Sequence, residues 1–69
     1  MSRPTKFDRV SKLVLWETGV IPLSINQLKD KTMVITFNSD EVSPEKLSEF
    51  EDILRFAIPY KTKLQLGEN

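Results

Sequence analysis

Residues 43–59 are closed at both ends by proline, and this bracket constrains the fold more than any other feature of the chain. Ser43 is a good N-cap, Pro44 suits the first helical position, and Glu45 sits where a helix dipole favours an anion. Pro59 stops the helix and pushes Ile58 towards extended geometry. Between them, Leu47, Phe50, Leu54, Ala57 and Ile58 recur at helical spacing with Ile53 on the margin, which predicts one amphipathic helix. The preceding segment, TMVITFN at 32–38, is β-branched, aromatic and free of Gly and Pro. It predicts a strand with Met33, Ile35 and Phe37 on one face and Val34 and Thr36 on the other. After the helix, Tyr60, Thr62, Leu64 and Leu66 alternate with Lys61, Lys63 and Gln65, a second strand.

The first third of the chain admits two readings. A helix could begin at Thr5, with Asp8 three residues later, but it would have to absorb the β-branched Val10 and Val14. Strand chemistry in VLW favours instead a strand over Val10–Trp16, a tight turn at Thr18-Gly19, and a second strand over Val20–Asn26. Pro22 cannot donate to a ladder and belongs at an edge or a bulge. The expected fold is therefore a small two-layer α+β domain of order β-β-β-α-β. An antiparallel meander sheet is covered on one face by a single amphipathic helix. Residues 10–67 form this domain and residues 1–9 a basic, mobile tail. One helix covers one face only, so Val14, Trp16, Pro22 and Val34 are left together on the other, as a surface for a protein partner.

A chain of 69 residues is near the lower limit for independent folding and usually needs a staple. There is no Cys, which removes disulfides and thiolate metal sites, and no His, which removes the commonest transition-metal ligand. Association with another chain is the staple that remains, and a homodimer or higher assembly stacked through the apolar sheet face is expected. No cofactor and no metal site are expected. Two glycines cannot make a phosphate-binding loop, and a Ser-His-Asp arrangement is impossible without His. Ser43-Pro44-Glu45-Lys46 matches S-x-x-K in letters, but it is a helix cap. Glu45, Glu49 and Asp52 line the outer side of the predicted helix, with Phe56 next along the row. Carboxylates side by side on one exposed helix do not make an acid–base pair. They suit a solvated face or a partner-binding stripe, so no enzyme is expected.

Ten basic residues balance ten acidic ones, although residues 1–31 carry six Lys/Arg against three Asp/Glu and residues 32–69 carry four against seven. Arg3, Lys6, Arg9 and Lys12 could neutralise phosphates, which makes a nucleic-acid- or ribosome-associated factor the alternative function. The longest apolar runs are far short of a membrane span, and the N-terminus lacks the apolar core of a signal peptide, so a cytoplasmic protein is expected. Through Val14-Leu15-Trp16 and Leu23, Ile25 and Gln27, the segment VLWETGVIPLSINQ resembles the hairpin of the plastid-specific ribosomal protein 3 family. That resemblance implies a β-hairpin here and a ribosome-associated role. The residues themselves predict a small protein-interaction or adaptor module acting through the sheet face around Trp16 and through the Glu45–Phe56 helix face.

Overall fold

A computed structural model describes residues 5–68 of the chain. Five elements follow one another in the order α-β-β-α-β: α1 (Lys6–Thr18), β1 (Ser24–Gln27), β2 (Met33–Asn38), α2 (Pro44–Ala57) and β3 (Thr62–Gly67). The domain is α+β as expected, but the strand predicted over Val10–Trp16 is a helix. Its ends explain why. The Thr5 hydroxyl accepts the Asp8 N–H at 3.2 Å, and the Asp8 carboxylate accepts the Thr5 N–H at 3.0 Å. This reciprocal capping box satisfies two N-terminal donors at once. At the other end Gly19 takes φ 75° and donates its N–H to the Leu15 carbonyl at 2.8 Å. A residue with a Cβ enters that left-handed conformation only at a cost, so Gly19 ends the helix instead of turning a hairpin. Lys6 and Arg9 consequently belong to α1.

The sheet has three strands in the order β1-β2-β3. β1 runs antiparallel to β2, with Ile25 opposite Ile35, whereas β3 runs parallel to β2, with Leu64 opposite Ile35. The sheet is thus mixed and not an antiparallel meander, because α2 carries the chain from the end of β2 back to the start of β3. α2 follows the predicted boundaries closely: the Ser43 hydroxyl accepts the Lys46 N–H at 3.2 Å, and Pro44 opens the helix.

Two helices, not one, cover the sheet. Val10 and Val14 of α1 join Phe50 and Leu54 of α2 and Met33, Ile35 and Phe37 of β2 in a single core. The Phe37 and Phe50 rings meet at 5.5 Å between centroids, tilted by 54°. Val42, just ahead of the α2 cap, is also fully buried. The opposite sheet face carries no covering element among the described residues. By register it presents Ser24, Thr36 and Gln65 in one row and Asn26, Val34 and Lys63 in the next. Its polarity suits contact with water, and Gln65 donates to the Thr36 hydroxyl at 2.9 Å.

The β1–β2 connection holds a conformational strain that can be tested. Leu28 accepts from the Lys31 N–H and donates to the Thr32 carbonyl, both at 2.9 Å, with Lys31 at φ 73° between them. Asp30 accepts the Thr32 N–H at 3.1 Å, and that bond, with the Thr32 side chain, holds its carboxyl below the usual value. A lysine in left-handed geometry costs roughly 1–2 kcal/mol, part of which glycine would return after its greater unfolded-state entropy is subtracted. Lys31→Gly is expected to stabilise the fold by about 0.5–1 kcal/mol in urea titrations. A destabilised variant would show that the lysine side chain contributes more than its backbone costs.

Candidate interaction face

The four residues expected to share an outward sheet face are separated by the fold. Val14 is completely buried in α1 against the sheet. Pro22 lies in the connection between α1 and β1, half-buried. Val34 is on the open sheet face but only 9% exposed, with Asn26 and Lys63 as its lateral neighbours. Trp16 alone stands in solvent, 84% exposed, and it does so on a helix. The hairpin implied by the family resemblance is absent with them, since Val14-Leu15-Trp16 is helical. With the patch dispersed, a dimer built by stacking sheet faces loses its basis.

The direction of the helices assembles a different surface. α2 links two parallel strands and so runs against both. α1 is joined to β1 by the short connection 19–23 and reverses into it, which sets α1 antiparallel to α2. A cleft lined by Lys6, Arg9, Val10 and Leu13 with Pro59 and Tyr60 places the first half of α1 beside the end of α2. A second, lined by Leu15, Gly19, Val20 and Ile21 with Glu41, places the end of α1 beside the entry to α2. Neither brings two carboxylates together.

Viewed from outside, each helix carries one exposed row opposite its core residues. On α1 the row is Arg9, Lys12 and Trp16, and on α2 it is Glu45, Glu49, Asp52 and Phe56, every one of them exposed. Phe56, like Trp16, stands almost free in solvent at 88% exposure. Glu45, Glu49, Asp52 and Phe56 thus share one exposed row of α2, whereas Val14 and Val34 of the sheet-face set are buried. Comparison with protein families, with curated proteins and with solved structures finds no match to this chain.

Among the described residues the ion pairs are Lys46–Glu49 at 3.2 Å and Arg55–Asp52 at 4.0 Å, both within α2. Exposed pairs three residues apart contribute little and yield readily to a better partner. Arg9 and Lys12 are in no ion pair with a described residue, and the Lys6 ammonium lies 5.8 Å from the centroid of the Phe7 ring. Of the basic residues, Arg3 lies outside the described residues. No group of three acidic side chains among the described residues is placed to hold a metal ion, and no helix there is long and apolar enough to cross a membrane. From the sequence, Arg9 belongs to an N-terminal tail and Lys12 to a strand, whereas both lie on α1. The signal that reveals their row as a helix face is the capping box at Thr5 and Asp8, which phases Arg9, Lys12 and Trp16 together.

Proposed function

We infer that this chain is a non-enzymatic protein-interaction module whose contact surface is the outer face of its helix layer. One observation carries the reading: the tryptophan and a phenylalanine stand in solvent on adjacent helices, 84% and 88% exposed, while Phe37, Phe50 and aliphatic residues fill the core. Isolated exposed apolar residues are ordinary on protein surfaces. Two large aromatics set in rows of charge, on the two elements that form one layer, have the composition of an interface: aromatic anchors with a polar rim. Among the described residues, the opposite face of the sheet offers a partner no comparable anchor.

A photo-crosslinking residue placed at position 16 or 56, with position 63 on the open sheet face as control, tests this reading in the native cell. Discrete protein adducts from the first two positions and none from the third are expected, and their mass identifies a second copy or a different protein. Trp16→Ala should weaken the contact by about 2 kcal/mol or more, roughly thirtyfold, while unfolding stability stays within about 0.5 kcal/mol of the parent. Absence of adducts from both helix positions, or adducts to nucleic acid alone, would overturn it.

A further inference from the structure

The outer rows of the two helices share one spacing. On α1 it runs from the N-cap, Thr5, through Arg9 and Lys12 to Trp16, and on α2 it runs Glu45, Glu49, Asp52, Phe56, with identical steps of four, three and four residues. The core positions follow the same offset, since Val10 and Val14 stand to α1 as Phe50 and Leu54 stand to α2. Each helix therefore presents its row at the same angle from the core, and each row ends in an exposed aromatic. The rows differ in sign. α1 offers two cations, α2 three anions. Because the helices run antiparallel, the layer has an approximate local two-fold relation in shape, with charge reversed between its halves.

We propose that the partner of this face is a second copy of the same chain, docked helix layer on helix layer with α1 of each copy lying on α2 of the other; this rests on the function proposed above. A face-to-face pair related by a two-fold axis can be arranged in two ways. An axis in the interface perpendicular to the helices sets α1 on α1 and α2 on α2, so Glu49 and Asp52 meet their own copies and repel. An axis along the helices sets α1 on α2 twice, and Arg9 and Lys12 of each copy meet the acidic row of the other. Like charges brought together across an interface oppose association strongly, so charge selects the second arrangement. The surface is then its own complement, as a closed two-fold interface requires.

The available area is sufficient. α1 and α2 have 13 and 14 residues, and such helices are about 20 Å long and, when packed, about 8–10 Å apart. Burial of two aromatics accounts for roughly 300–500 Å² per copy, against about 800 Å² per partner in a standard interface. With the flanking aliphatic stems, the contact falls in the range of small, reversible dimers.

Charge reversal provides the test. Sedimentation equilibrium of the full chain across a dilution series should show a monomer–dimer equilibrium, weakened severalfold as salt rises from about 50 to about 500 mM. Arg9→Glu with Lys12→Glu makes both rows acidic, whereas Glu49→Lys with Asp52→Lys makes both basic. Each double variant should melt as the parent does and dimerise at least about tenfold more weakly. Mixed in equal amounts they should associate again, because each acidic row now meets a basic one on both sides of the axis. A parent that stays monomeric to about 0.5 mM, a reversed variant that dimerises like the parent, or a mixture that stays monomeric overturns the proposal. A monomeric parent that still forms crosslinks to a different protein from position 16 defeats self-association alone; no crosslinks from either helix defeats the interaction face as well.

Discussion

Phe37→Ala is expected to lose about 3–5 kcal/mol of unfolding free energy, the usual cost of truncating a fully buried phenylalanine. Phe37 sits next to the C-terminal end of the middle strand with no solvent exposure, against the Phe50 ring and beside Leu66 of β3. Its removal empties the contact between the sheet and α2, and little can collapse into the space, because Met33, Ile35 and Leu54 around the same core are themselves fully buried. A chain of 69 residues has roughly 3–10 kcal/mol of stability in total. The variant should therefore be mostly unfolded at physiological temperature, or melt far below the parent. Phe56→Ala, the same chemical change at an 88% exposed position, should leave the melt within about 0.5 kcal/mol. Urea titrations of the two variants separate the core from the interaction face; equal losses would mean that Phe56 packs inside the domain.

What could be read from the residues, and what could not, follows from how each element is specified. β2 and α2 are legible because several signals coincide: β-branched chemistry without breakers in one, and a Ser-Pro start with a proline stop in the other. The alternation of Leu64 and Leu66 with Lys63 and Gln65 likewise matches β3. α1 is misread because Val10 and Val14 weigh towards a strand. That preference is worth only a few tenths of a kcal/mol per residue, less than a capping box at Thr5 and Asp8 and a glycine stop at Gly19 together contribute. Once α1 is a helix, the sheet loses its first strand and the core gains Val10 and Val14. Val42 has a signal of its own: it directly precedes the Ser43 cap, five residues before Leu47, the spacing of a hydrophobic staple. The pairing of α1 with α2 is not encoded in any local pattern. It emerges from packing, and with it the outer face that holds Trp16 and Phe56.

Val14→Asp should abolish folding, whereas Trp16→Asp should be tolerated, and the pair tests the helical phase of α1 directly. In a strand, residues two apart share a face, so both substitutions would act alike. In a helix they point about 200° apart. Val14 is wholly buried between α1 and the sheet, and the side chains around it in the core are apolar. A carboxylate there must either be buried unpaired or take up a proton, and either route costs several kcal/mol, comparable with the whole stability of the domain. Trp16 is 84% exposed, so a carboxylate at its position remains hydrated. It would add an anion beside Lys12 and remove an aromatic anchor, changing association but not the fold. Circular dichroism should show a cooperative melt for Trp16→Asp and none for Val14→Asp. Loss of the melt in both would return this segment to a strand and dissolve the helix face on which the interaction rests.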